Sequence, residues 1–287
     1  MKKVADISKE TCSKVQDICA EFFAVSGLTY FNFVRVFDDG TRICLSNNYE
    51  WMQFVFSQDL SYKIIFEERI QYPVTTYLIW DMVPTIKEDL LMQTASKDFD
   101  ICHGVTLILK HDGYVDFAYY ATSSDNEEIN IFYINNFHVL NIFLLYFIEK
   151  AQPLILEAER HRFKIEGRTL TWDNQNVENM SPIRAYVESM SEQISPTDSL
   201  KIKRYYLSGN IKNTYLSKRE AECLADLFDG LSAKEIARKR NISARTVEVH
   251  IEHIKLKLKC STKSEMINKA KICGFEQIYK AIKSINK

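Results

Sequence analysis

The chain has 287 residues, which at about 100–200 residues per domain suggests two domains. Apolar residues are 46% and charged residues 26%, enough for two cores and too apolar for a wholly disordered chain; with only 8 Gly and 5 Pro, collagen, Gly-rich linkers and Gly-laden phosphate loops are excluded. The formal net charge of −1 conceals a split, because Ser217–Lys287 holds 16 Lys and Arg against 9 Asp and Glu, while the rest holds 21 against 29. A small basic module joined to a larger acidic one points to a polyanionic partner for the basic part.

The first residues, MKKVADISKE, lack the apolar core of a signal peptide. Ser8–Ser26 has helical periodicity (Cys12, Val15, Cys19, Phe22, Phe23) and Gly27 closes it. Leu28–Phe37 is rich in aromatic and β-branched residues and reads as a strand; Asp38-Asp39-Gly40 turns it into a returning strand, Thr41–Leu45. Asn48–Phe56 reads as a helix, Tyr72–Val83 as a strand and Thr85–Phe99 as a helix. Gly104–Lys110 and Tyr114–Thr122 make a second hairpin around His111-Asp112-Gly113. Glu127–Phe163 is largely helical with a kink expected at Pro153. Its greasiest part, Ile129–Ile148, is interrupted by Asn130, Asn135, Asn136, His138 and Asn141, so a buried or interface helix is expected rather than a membrane span. Residues 164–211 are polar and read as a linker, with a helix expected at Ile183–Ile194 and a strand at Lys201–Leu207. Seven scattered Cys without a CxxC pair fit free thiols in a reducing cytoplasm.

Four helix starts stand between Ser217 and Gly274. Ser217-Lys-Arg-Glu220, Ser232-Ala-Lys-Glu235 and Thr262-Lys-Ser-Glu265 have the form of capping boxes, and Ser243 is a simple cap. Gly230, Asn241 and Gly274 supply the stops. Ala233–Arg240 and Ala244–Lys259 are separated only by Asn241, Ile242 and Ser243, the spacing of a helix-turn-helix. In the second of these helices Val247, Ile251, Ile254 and Leu258 form a core stripe, leaving Arg245, Glu248, Val249, Glu252 and Lys255 on the other face.

This run resembles the LuxR-type helix-turn-helix domain over about 60 residues: Leu216, Ser217, Arg219, Glu220, Gly230, Ser232, Glu235, Ile236, Ala237, Ile242, Ser243, Thr246, Val247, His250, Ile254, Lys257 and Leu258 fall on the family pattern. Arg240 departs from it, where the pattern often has Leu. The resemblance implies a four-helix, all-α domain (212–277, followed by a helical tail, 278–287) that binds double-stranded DNA as a homodimer. It implies that the interface is drawn from Ser232, Lys234, Ser243, Arg245, Thr246, Glu248, Val249, His250, Glu252, Lys255 and Lys257, with Lys234 and Lys257 near phosphates.

Helix, hairpin, helices, hairpin, helix over 1–163 suggests an antiparallel sheet with helices on both faces, an α+β sensor fold. It is similar to the family's signal-binding α-β-α sandwich at Trp51, Trp80 and Gly104. Val55 stands where that family has Tyr, and the Asp-Pro pair that holds an acyl-homoserine lactone is absent from Ser61–Gln71, which argues for an orphan, or solo, receptor of another small molecule. Trp51, Tyr72, Tyr77 and Trp80 are the candidate pocket residues. The alternative is a regulator without a ligand, controlled through a protein partner on the Ile129–Ile148 surface. A phosphorylated receiver is disfavoured, since Asp38-Asp39 fits a hairpin and no βα repeat follows. No Walker loop, dinucleotide fingerprint, zinc spacing or nucleophile elbow is present, so neither an enzyme, a cofactor nor a metal is expected.

Overall fold

The computed structural model describes residues 8–57, 75–83, 86, 88–164, 202–207 and 214–285. Tyr72, the Ser61–Gln71 stretch and the Ile183–Ile194 helix lie outside the described residues. The described residues fall into two units: those within 1–110, 114–140 and 150–196 form the first, and those within 111–113, 141–149 and 197–287 the second.

In the first unit, helix α1 (Lys9–Ser26) begins at Ser8, whose hydroxyl accepts the Thr11 N–H at 3.0 Å, and ends at Gly27 in the left-handed conformation (φ 75°). Strands β1 (Tyr30–Phe37) and β2 (Thr41–Ser46) follow, then helix α2 (Tyr49–Ser57), strand β3 (Thr75–Ile79) and a 3-10 turn (Trp80–Met82). Helix α3 (Leu90–Phe99), strands β4 (Cys102–Lys110) and β5 (Tyr114–Thr122), helix α4 (Ile129–Lys150, of which residues 141–149 are counted with the second unit), helix α5 (Gln152–Arg160) and the short strand β6 (Phe163–Lys164) follow. The sheet runs β3-β4-β5-β1-β2-β6 and every neighbour is antiparallel. Helices cover both faces. Trp51 and Met52 of α2, Ala95 of α3 and Trp80 pack with Tyr30, Val34, Ile108, Phe117 and Tyr119 on one face. On the other, the Tyr120 hydroxyl donates to the Leu140 carbonyl of α4 at 2.9 Å and lies beside Cys19 of α1.

Two boundaries differ from the sequence reading, each through a local cap or turn. The strand expected at Tyr72–Val83 ends at Ile79, because Trp80–Met82 winds into the 3-10 turn. Of the helix expected over Thr85–Phe99, Thr85 lies outside the described residues, and the part from Leu90 to Phe99 is a helix capped by Asp89, which accepts the Leu91 and Met92 N–H groups. The kink expected at Pro153 is a break at Ala151; Pro153 sits in the first turn of α5, where its missing N–H costs nothing. Within α4, Asn136 leaves helical geometry (φ −131°, ψ 29°). This helix is long and apolar enough to cross a membrane by length and composition, and 56% of its most apolar window is buried.

Gly104 has a specific packing duty. A β-carbon there would lie 2.3 Å from the Trp80 ring, so the indole rests directly on the backbone of β4. The register of β4 against β5 shifts between Cys102 and Val105, and His103 at that point has φ 46°. The Trp80 indole N–H donates to the Thr106 hydroxyl at 2.8 Å, which fixes the ring over the glycine. Across β1 and β5, Arg35 holds Asp116 with two hydrogen bonds of 2.7 and 2.9 Å and reaches Glu159 at 3.1 Å, an ion cluster with its cation 11% exposed.

The second unit contains the hairpin β7 (Arg204–Tyr206) and β8 (Tyr215–Ser217), then α6 (Lys218–Phe228), α7 (Ala233–Arg240), α8 (Ala244–Leu258), α9 (Lys263–Ile272) and α10 (Phe275–Ile285). The Ser217/Glu220 and Ser232/Glu235 capping boxes are complete. At the third start, Thr262 accepts the Glu265 N–H, whereas the Glu265 carboxylate accepts the Ser261 N–H at 3.0 Å. The helical tail begins at Phe275 rather than at 278. Its Phe275, Ile278, Ala281 and Ile282 are buried, and Phe275 and Tyr279 pack on Phe228 of α6.

Candidate nucleic-acid interface

Helices α7 and α8 are set by a three-residue turn. Asn241 takes the left-handed conformation (φ 52°), which Asn tolerates better than most residues, and the Ile242 N–H donates to the Ala237 carbonyl at 3.0 Å. Ile236 and Ala237 of α7 and Val247, Ile254 and Leu258 of α8 are buried, so the pair shares one core with Leu224 and Leu227 of α6. Ile251, expected in the same stripe, is only partly buried. Ser243 accepts the Thr246 N–H at 3.0 Å, leaving the first turn of α8 outward and intact.

The structure places Ser232, Lys234, Ser243, Arg245, Thr246, Glu248, Val249 and Glu252 at the surface, and His250, Lys255 and Lys257 in partly buried positions. Arg245 faces Glu248 at 3.5 Å, and Lys255 holds Glu252 at 2.9 Å. Thr246 shares its hydroxyl with Ser243 at 2.8 Å. Lys257 has a different environment from its sequence-level assignment to phosphate. Its ammonium holds Glu220 at 2.6 Å and lies 5.0 Å over the Tyr215 ring, tying α8 to the start of α6. Burial pushes the Glu220 carboxyl up, but hydrogen bonds from Lys257 and the Ser217 backbone outweigh it and hold the group below the usual range.

Between α6 and α7 lies an ion network that the sequence reading missed. Asp226, 1% exposed, accepts from Arg240 Nε and Lys239 Nζ, both at 2.6 Å, and Arg240 also approaches Glu222 at 3.6 Å. Arg240 therefore occupies the position of a family Leu because α6 offers it two carboxylates. The only signal in the sequence is the coincidence of Arg240 with acids on a neighbouring helix. His250 and His253 do not form part of a metal-binding group among the described residues.

Of the candidate pocket residues, Trp51 and Trp80 lie together, Tyr77 lies on the other face of the sheet, and Tyr72 lies outside the described residues. Trp51 and Trp80 share one core cluster, in which the Trp51 ring lies 5.8 Å from Phe54 and 5.1 Å from Phe99. Tyr77 alternates with Leu78 of that cluster, so it faces the opposite side of the sheet; there its ring packs, tilted by 32°, at 4.2 Å from that of Phe137, and its hydroxyl donates to the Phe137 carbonyl.

Residues 214–270 match the family model described as bacterial regulatory proteins, luxR family. The chain is 33% identical over 72 residues to the transcriptional activator protein LuxR of Aliivibrio fischeri, covering 25% of this chain and 29% of that protein. It is 30% identical over 92 residues to the transcriptional regulatory protein FixJ of Bradyrhizobium diazoefficiens, covering 32% of this chain and 44% of that protein. The chain thus spans less than half the length of these curated relatives. A crystal structure of Escherichia coli SdiA aligns over 91% of both chains at 14% identity with a TM-score of 0.32. With its capped four-helix core, its three-residue turn and its match to the family model, the segment 214–270 is a helix-turn-helix domain of the luxR family of bacterial regulatory proteins.

Proposed function

We propose that the chain is a sequence-specific DNA-binding transcriptional regulator. The observation that carries this reading is the exposed N-terminal half of α8, which presents Arg245, Thr246, Glu248 and Val249 from a rigid core, behind a turn of three residues. A helix so presented fits the major groove, N-terminal end first. Lys234 is exposed at the start of α7, and on this reading it meets a phosphate. On this reading the active species is a cytoplasmic homodimer whose half-sites lie about one helical turn, ~34–36 Å, apart.

The test is binding of the full chain to promoter fragments, followed by anisotropy at a series of salt concentrations. Lys234→Ala should weaken binding to all sequences and reduce the salt slope by about one unit. Val249→Ala should instead change the preference among sites. An unchanged slope removes Lys234 from the contacts, and a chain that binds no duplex in dilute buffer removes the whole reading.

We further propose that the first unit senses a small molecule through the Trp51/Trp80 face of its sheet, which modulates the DNA-binding unit. The aromatic cluster of Trp51, Phe54, Phe99 and Trp80 supports this. A ligand raises the melting temperature of the full chain by mass action, so a metabolite panel read by thermal shift identifies it. A panel without effect, together with capture of a partner through α4, would favour control by protein contact instead.

A further inference from the structure

The acidic residues of the helix-turn-helix segment divide into two groups. Glu220 caps α6 and holds Lys257; Glu222 and Asp226 hold Arg240; Asp229 accepts from Tyr279 and Lys283; Glu235 caps α7; and Glu265 accepts the Ser261 N–H. Glu248 and Glu252 belong to neither a cap nor a buried ion cluster. Their side chains are 55% and 64% exposed, and each has one ion partner three residues away on the same helix, the exposed Arg245 for Glu248 and the partly buried Lys255 for Glu252. Pairs within one helix whose carboxylate faces water contribute little and leave that carboxylate open to other donors.

Both glutamates lie on the side of α8 opposite its buried stripe of Val247, Ile254 and Leu258, together with Arg245 and Val249. Two carboxylates on the face that approaches a polyanion weaken binding unless they find donors there. An ionised carboxylate only accepts hydrogen bonds. In the major groove guanine offers two acceptors, thymine an acceptor and a methyl group, and adenine a donor beside an acceptor. Cytosine N4 alone offers a donor without that adjacent acceptor.

We propose that Glu248 and Glu252 read cytosine, so that each operator half-site carries two C·G pairs under α8. This rests on α8 being the helix that enters the groove. Four residues advance the helix by about 6 Å, roughly two base-pair rises, which sets the spacing of the two cytosines. Arg245 and Lys255, released from the carboxylates, then face the backbone or the neighbouring bases.

The experiment is selection of duplexes with randomised half-sites by the full chain, repeated with Glu248→Gln and Glu252→Gln. The wild-type protein should select two cytosines about two base pairs apart, and replacing either C·G by T·A should weaken binding about 5- to 150-fold. Because a Gln amide both donates and accepts against adenine, each variant should move the preference at its own position from C to A. Variants that select the wild-type site, or that bind every duplex more tightly without a change of preference, overturn the inference while leaving DNA binding intact. A wild-type protein that selects no duplex overturns the DNA-binding reading and this inference with it.

Discussion

Asp226 is the residue whose removal most directly tests the architecture of the helix-turn-helix unit. Its carboxylate is 1% exposed and takes two charge-assisted hydrogen bonds of 2.6 Å, from Arg240 and Lys239. Lys239 is 45% exposed and can return to water, but Arg240 is 14% exposed and cannot do so fully. Removing one member of a buried pair costs about 3–5 kcal/mol, because the remaining charge stays desolvated. Glu222, 3.6 Å from Arg240, compensates in part, which places Asp226→Ala near the lower end, at about 3 kcal/mol. Native-state hydrogen exchange resolved by mass spectrometry reads this directly, as amides of α6 and α7 exchanging on the order of 100-fold faster. A double variant, Asp226→Leu with Arg240→Leu, removes both charges. It should recover most of the lost protection, since replacing a whole buried pair by apolar groups is often neutral or stabilising. Exchange of Asp226→Ala within threefold of wild type, or a double variant no slower than the single one, would refute the reasoning.

Four further outcomes are expected. Gly104→Ala forces a methyl group against the Trp80 ring and should lower the urea midpoint of the first unit, followed by tryptophan fluorescence, by an amount equivalent to about 1–3 kcal/mol; an unchanged midpoint would mean that β4 shifts freely. Arg35→Met strands Asp116 in the sheet and should cost about 3–5 kcal/mol by the same assay, whereas a loss under 1 kcal/mol would show that Asp116 is resolvated. Ser232→Ala should destabilise α7 by about 1 kcal/mol, seen as a lower midpoint in circular dichroism melts; no change would mean that water satisfies the cap. Burial pushes the Asp226 carboxyl up, but hydrogen bonds from Arg240 and Lys239 outweigh it and hold the group below its ordinary range, as Lys283 and Tyr279 do for Asp229. Carboxylates held low stabilise the fold above the unfolded value of about 4, and this contribution is lost as pH falls through the lower folded values. The melting temperature of the helix-turn-helix unit should therefore be flat from pH 7 to about 5 and fall below about 4; a profile flat to pH 2.5 would deny these carboxylates that role.

The helix-turn-helix unit was legible because its determinants are local. A cap and its glutamate are three residues apart, the core stripe of α8 repeats within fifteen residues, and Asn241 marks its own turn. The hairpins were legible for the same reason, each announced by an Asp-Gly pair between alternating strands. What escaped notice depends on separation in the chain. Arg35 and Asp116 meet only because β1 and β5 are neighbours in the sheet, and Arg240 meets Asp226 only after α6 and α7 have packed. The opposition of Tyr77 to Trp80 was within reach, since alternation alone puts Tyr77 and Leu78 on different faces, but the candidate pocket was assembled by residue type and not by parity.

These two kinds of determinant have different consequences for specificity. Caps and core stripes fix that α8 is a helix and which side of it is buried; they say nothing about what the other side meets. The long-range pairs decide that. By holding Lys239 and Arg240 on Asp226, and Lys257 on Glu220, the unit withdraws three cations from the stock available to a polyanion and leaves the exposed face of α8 with as many acids as bases, Glu248 and Glu252 against Arg245 and Lys255. A count of Lys and Arg alone therefore overstates the cations free to meet a polyanion, whereas the net charge, which already subtracts their acidic partners, is nearly unchanged by the pairing. The unit's salt dependence should be carried by cations away from α8, such as Lys234, while discrimination among sequences falls to the α8 face.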